Sequence, residues 1–266
     1  AALAVPGVER IITAADIPGE NQIGTIIPDE PLLAAGAVHF IGQPVALVVA
    51  NSERAARKAR NLIRLEYIEE IPVTDARQAQ QLGHLLVPPR TFRLGNTAEA
   101  WQQCSHIFEG KADSGGQEHV YLETQGAYAW LTEKGCVMVH SSTQSPTSVQ
   151  KGVARVLGLP MNRVEVDTRR LGGGFGGKED QATTWGSLAA LASWLLKKPV
   201  KLVLSRHDDL FMTGKRHPYS SDFRIGLSGD YKILAWEVTY YQNGGAATDL
   251  SPAILDGEHD AIPEAV

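Results

Sequence analysis

Cysteine is nearly absent: only Cys104 and Cys136 occur in 266 residues, and they are not spaced as Cys-x-x-Cys. Two isolated thiols cannot ligate an iron–sulfur cluster, which needs four protein ligands. Any such cluster must lie on another subunit or another part of a longer chain. So few thiols form no disulfide framework, which suits a reducing compartment and an expected cytoplasmic location. No apolar run approaches the roughly 18 residues of a membrane span, and no signal peptide is visible. An excess of positive charge is also missing, since 25 Lys and Arg stand against 30 Asp and Glu for a net charge of −5. Nucleic acid, which wants a basic stripe, is therefore not an expected partner. The one basic cluster, Arg54, Arg57, Lys58, Arg60 and Arg64, alternates with Ala55, Ala59, Leu62 and Ile63 and reads as a solvated helix face. None of the eight histidines forms His-x-x-x-His or stands beside cysteine at zinc-ligand spacing. Ser142 and Ser145 lie in no Gly-x-Ser-x-Gly elbow.

Glycine, by contrast, is plentiful: there are 26, and five of them surround one aromatic in Gly172-Gly173-Gly174-Phe175-Gly176-Gly177-Lys178-Glu179. A run of this kind between a β-like segment (Val164-Glu165-Val166) and a helix-like one from Gln181 leaves backbone N–H groups open to an anionic or oxo-bearing ligand. Two commoner motifs fit its letters poorly. A phosphate-binding P-loop wants Ser or Thr after Lys178, and Glu179 there would repel phosphate. A dinucleotide loop wants an acidic residue about 20 positions on, where Lys197, Lys198 and Pro199 stand. A carboxylate directly after the loop can instead hydrogen-bond a small polar substrate. The plainer alternative is a tight turn with Glu179 favoured by the dipole of the next helix.

Hydrophobic residues make up 43% of the chain, ample for a packed core. A first domain is expected over 1–85, with a strand over Val45–Ala50, a helix capped by Asn51 or Ser52 and ending near Arg64, and a returning strand at Leu65–Ile68. Residues 86–92, with adjacent Pro88 and Pro89, are expected to form a linker. A second domain follows over 93–266. It is expected to hold a short helix at Ala98–Gln103 and strands at Ile107–Lys111, Val120–Leu131 and Gly135–His140. Ser145 as cap and Pro146 at the first turn start a helix that stops near Gly158. That helix start puts Gln144 at a strand-to-helix junction, where ligands of α/β proteins gather. Trp185, Leu188, Leu191 and Leu195 give a core helix over Gln181–Lys197, Pro199–Leu204 a strand, and the glycine-punctuated stretch from Phe223 an antiparallel hairpin.

Several blocks in order resemble the molybdenum-binding subunit of the xanthine dehydrogenase and aldehyde oxidase family of molybdenum hydroxylases. They are Ile27–Leu33, Gly42–Ala50, Glu118-His119-Val120-Tyr121-Leu122-Glu123, Ser142-Thr143-Gln144-Ser145-Pro146, Arg170–Glu179, and Arg206–Asp209 with Thr213–Pro218. The resemblance implies an α/β (α+β) fold: a small hammerhead-like α/β domain, then the first part of a mixed α/β molybdopterin-binding domain. It implies that Gln144 donates its side-chain amide to the apical oxygen of molybdenum, with Gly174, Phe175 and Gly176 against the metal–pterin group. The metal contacts of Gln144 and Phe175 would run through that oxo ligand, with no direct protein ligand. Glu179 would bind substrate and stabilise charge, and its presence tilts the substrate towards an N-heterocycle such as xanthine or hypoxanthine. Implied cofactors are molybdenum–molybdopterin, in the plain or the cytosine dinucleotide form, with iron–sulfur clusters and FAD on partner domains or subunits of an oligomeric enzyme. His119 and His217 fall in the family-like blocks and are expected to serve structure.

The chain lacks the family's second glycine-aromatic loop and late glutamate base. Its opening reads as mid-domain sequence, and residues 256–266 match none of the blocks. A fragment of a larger enzyme, inactive alone, is the expectation. The alternatives are a nucleotide-dependent dehydrogenase using the Gly172–Gly177 loop, and a non-catalytic assembly domain with a degenerate site.

Overall fold

The computed structural model describes residues 1–260. In chain order the strands and helices begin with β1 (Val8–Ile12), β2 (Leu47–Ala50), α1 (Glu53–Arg60), α2 (Ala76–Gln81), α3 (Thr97–Ala100) and β3 (His106–Ser114). The middle of the chain forms β4 (Gly126–Leu131), β5 (Val137–Ser141), α4 (Pro146–Leu157), β6 (Val164–Asp167), α5 (Ala182–Leu196), β7 (Val200–Val203) and α6 (Arg206–Met212). The chain continues with β8 (Tyr219–Leu227), β9 (Ile233–Gln242) and α7 (Ser251–Asp260). It divides into two compact units, each made of two separate stretches: Ala1–Glu69 with Glu118–Lys215, and Glu70–Gln117 with the chain from Arg216 onward.

The second unit is built on an antiparallel sheet in the order β3-β8-β9. Its β8–β9 hairpin turns where Ser228 and Asp230 bond to each other and to Lys232. The stretch 84–95 of this unit, which includes the expected linker at 86–92, carries no helix or strand.

The first unit contains the antiparallel pair β1-β2 and a four-stranded sheet in the order β6-β5-β4-β7. Ser52 caps α1 by accepting from the Ala55 N–H. Only Ala55 and Ala59 of α1 are buried, so its basic residues face water. The main core lies where α4 and α5 cover the four-stranded sheet. α5 is buried continuously from Ala182 to Ser193, as a helix apolar on nearly every side must be. Trp185, Leu188 and Leu191 are core residues.

Two expected strands are absent or shorter. Leu65–Ile68 forms no strand, because its side chains find nothing to bury them and Ile68 stays 95% exposed. The strand expected over Val120–Leu131 begins only at Gly126. Val120 adopts a φ of +48°, which breaks an extended run, and Tyr121 and Gln125 turn inward to polar partners. Among the described residues, no helix is long and apolar enough to cross a membrane.

The pairing directions of the four-stranded sheet locate the site. β5 and β6 are parallel, while β4 runs antiparallel to β5 and β7 antiparallel to β4. The carboxyl ends of β5, β6 and β7 and the amino end of β4 therefore share one edge. Four segments meet there: 118–125, 142–145, 168–181 and 204–213.

Candidate active site

Gln144 leaves this edge just after β5, ahead of α4. Its backbone N–H donates to the Lys178 carbonyl at 2.8 Å. Its side-chain oxygen accepts from the N–H groups of Gly176 at 3.0 Å and Lys178 at 3.2 Å. Two backbone donors can be satisfied only by the oxygen of a carboxamide, so the other end of the group is its NH₂. That NH₂ donates to no described residue, and the side chain is exposed. Ser145 begins α4 as expected, though its hydroxyl bonds that of Ser148 at 2.8 Å and caps no backbone N–H.

The glycine loop wraps around this carboxamide. At Gly174 an added Cβ would stand 2.3 Å from the Gln144 Oε1. Phe175 holds a φ of +54° and is 76% exposed. A bulky residue in the left-handed region, with its ring in solvent, is a strained feature of the kind that clusters at ligand sites. The Gly177 N–H is used by the Gly174 carbonyl, and those of Gly176 and Lys178 by Gln144. The N–H groups of Gly172, Gly173, Gly174 and Phe175 donate to no described residue. Glu179 follows one peptide after this clamp, exposed and bonded to no described residue.

Beneath the loop lies a buried polar floor. Tyr121 is 1% exposed and donates through its hydroxyl to Asp209 at 2.7 Å. Burial, reinforced by Asp209, pushes the phenol well above the usual tyrosine range, so it remains a donor. Asp209, on α6, also accepts from the Gln125 N–H at 2.7 Å. The Gln125 amide donates to the Tyr121 hydroxyl at 3.2 Å and to the Gly177 carbonyl at 2.9 Å. Arg206 donates to the carbonyls of Tyr121 and Leu122. At its rim, partial burial of Glu118 would raise its pKa, but Lys215 at 2.8 Å and the Val120 and His119 N–H groups hold it below the glutamate range. Burial lowers the neighbouring His119 despite the opposing charge of Glu118.

The fold thus brings Gln144, Gly174, Phe175, Gly176 and Glu179 to one junction. Tyr121, Gln125, Asp209, Arg206 and Lys178 support it; all but Gln125 lie in the family-like blocks, but sequence reasoning gave none of them a role in the site. The Glu118–Glu123 block carried a signal for the floor, but not the Asp209 side of its contacts. A P-loop lysine must reach phosphate. The Lys178 ammonium is instead wholly buried and donates to the carbonyls of Glu123 and Leu171 and to the Ser142 hydroxyl.

Residues 79–264 match the model of the molybdopterin cofactor-binding domain, and residues 1–71 that of the aldehyde oxidase and xanthine dehydrogenase a/b hammerhead domain. The chain belongs to the xanthine dehydrogenase and aldehyde oxidase family. Among its relatives is xanthine dehydrogenase 1 of Arabidopsis thaliana, 40% identical over 263 residues, covering 96% of this chain and 19% of that protein. Aldehyde oxidase 2 of Cavia porcellus is 39% identical over 258 residues, with 96% and 19% covered. The solved aldehyde oxidoreductase of Desulfovibrio gigas superposes with a TM-score of 0.77 at 26% identity, covering 90% of this chain and 28% of that one. The chain spans about a fifth of the length of these curated relatives. Its fold is that of the family: mixed α/β, with a hammerhead domain and molybdenum-cofactor domain sequence.

The residues present suit the family's cofactor. Among the described residues, no group of three or more His, Cys, Asp or Glu is placed to hold a metal ion. A metal here would bring its own ligand set, as a pterin-borne metal does. A neutral amide donor, open backbone N–H groups and an exposed aromatic are what this chain offers it.

Proposed function

We propose that this chain is the part of a molybdenum hydroxylase that seats the molybdenum–molybdopterin cofactor and orients an N-heterocyclic substrate, a purine such as xanthine or hypoxanthine. One observation carries it: the Gln144 carboxamide is held by two backbone donors with its NH₂ bonded to no described residue, and the exposed Glu179 directly follows one of those donors, Lys178, in the chain. When bound, the cofactor supplies the two-electron oxidation of the substrate carbon, with oxygen drawn from water. Gln144 donates to an oxygen of the cofactor and adds no charge. The peptide edge at Gly174 and Phe175, with Gly176 locked onto Gln144, would help hold the metal–pterin group. Glu179 accepts from a ring N–H, or donates when protonated, as charge builds on the ring, and a preplaced group needs no reorganisation to do so. With Cys104 and Cys136 unable to hold a cluster, iron–sulfur and flavin centres that accept the electrons would lie elsewhere in a longer enzyme.

A xanthine dehydrogenase and an aldehyde oxidase match this chain about equally well, so the substrate class rests on Glu179. The nucleotide-dependent dehydrogenase is disfavoured because Lys197, Lys198 and Pro199 stand where a dinucleotide loop wants an acid for the ribose. A degenerate assembly domain has no need for an aligned amide and a solvent-facing acid. The test is metal and pterin analysis of the full-length enzyme carrying this segment, alongside titration with NAD and with xanthine. Stoichiometric molybdenum and a xanthine-dependent bleaching of the metal absorption are expected. A metal-free protein that binds NAD tightly would overturn the proposal.

A further inference from the structure

The Lys178 side chain has no part in the chemistry described, yet it is among the largest that are fully buried. Its ammonium donates to the Leu171 carbonyl at 2.6 Å, the Glu123 carbonyl at 2.8 Å and the Ser142 hydroxyl at 2.8 Å. The ring of Tyr121 lies 4.5 Å from it. An ammonium has three donors, and all are used. The acceptors belong to three different segments: the start of the glycine loop, the end of β5 and the stretch leading into β4. Burial pulls Lys178 below the usual lysine range, and the charges of Asp209 and Glu123 oppose that pull. A cation kept in such a place fixes geometry at a cost in stability that an apolar stem would avoid.

The other end of the same residue governs Gln144. The Lys178 N–H donates to the Gln144 side chain, and its carbonyl accepts from the Gln144 N–H and the Thr143 hydroxyl. The Ser142 hydroxyl, besides receiving the ammonium, donates to Leu171 at 2.7 Å. The strand end that carries Gln144 and the loop that clamps its carboxamide are thus joined twice through one lysine.

We propose that Lys178 is a positioning residue: its buried ammonium locks the glycine loop to the end of β5 and so fixes where the Gln144 NH₂ points. The proposal rests on Gln144 as a donor to the cofactor. Without the ammonium, the Glu123 carbonyl and the Ser142 hydroxyl lose this donor, the loop start keeps only the Ser142–Leu171 bond to the strand end, and the Gly176 and Lys178 N–H groups shift relative to the amide they hold.

The test uses the full-length, metal-loaded enzyme with Lys178→Met, which keeps the stem and removes the charge, compared with Gln144→Ala, the double variant and Ser142→Ala. Measurements are bound molybdenum, the electronic absorption of the metal centre, and kcat and KM separately. Expected for Lys178→Met is retained metal and an absorption shift in the direction produced by Gln144→Ala. Its kcat should fall about 10- to 100-fold with KM little changed. The double variant should be no worse than Gln144→Ala, because both changes remove one interaction. An unshifted absorption in metal-loaded Lys178→Met, or additive effects in the double variant, overturns the proposal. If Gln144→Ala itself leaves the absorption unchanged, the role of Gln144 fails and that of Lys178 goes with it. If Lys178→Met does not fold or load metal, Ser142→Ala decides, since it cuts one of the three acceptors, together with the Ser142–Leu171 bond of the same junction, and spares the lysine. A smaller shift of the same sign supports positioning, and a wild-type absorption overturns it.

Discussion

Glu179 and Gln144 differ in what holds them, and their substitutions should differ accordingly. Glu179 is exposed and bonded to no described residue, so removing it should take away the proposed substrate contact and little else. Glu179→Ala should lower kcat/KM for purine-like substrates by about 10²-fold in the full-length enzyme, with molybdenum content nearly unchanged. Equal loss of metal and activity would mean that the glutamate is structural. Gly174 tests the clamp from the other side. Alanine there would put its methyl group 2.3 Å from the Gln144 oxygen, too close for any side chain to remain in place. Gly174→Ala should disturb the metal's absorption at unchanged protein fold by circular dichroism; an unaltered absorption would mean that the loop yields without moving Gln144.

The elements that form the site are joined by polar contacts across long sequence separations. Tyr121 and Asp209 are 88 residues apart, and their hydrogen bond ties the segment ahead of β4 to α6. Tyr121→Phe leaves a buried carboxylate oxygen without its donor, so it should cost about 1–3 kcal/mol in urea denaturation. A change within error would mean that water replaces the hydroxyl. The helices α1, α4 and α5 were legible because their signals are local: Ser52 ahead of α1, Pro146 opening α4, Gly158 closing it in the left-handed region, and a continuous apolar run in α5. The strand expected from Val120 was not, because nothing in its pattern distinguishes a residue paired in a sheet from one turned into a buried hydrogen-bond network.

At the scale of the whole molecule, acid is the condition that should loosen the fold first. Burial depresses His119, and Lys215 with two backbone N–H groups outweighs burial to depress Glu118. A depressed folded value means that each contributes stability fully present above its unfolded value. That stability is lost as pH falls through the folded value. The melting temperature should therefore begin to fall below about 6.5 and fall further below about 4.5. His119→Gln should flatten the upper part of that decline and Lys215→Met the lower part. Identical pH profiles for both variants and wild type would remove these two groups from the account.

The sequence by itself determined the family, the main helices, the β8–β9 hairpin, and the pairing of Gln144 with a glycine loop at strand-to-helix junctions. Each of these follows from caps, periodicity or motif order within a short window. Tertiary structure alone decided that four segments share one sheet edge, that Val120–Gln125 forms a floor instead of a strand, and that Lys178 faces inward to protein oxygens and away from any ligand. Those outcomes depend on pairing direction and on buried polar groups finding partners far along the chain, and no local pattern specifies which partner a donor will meet.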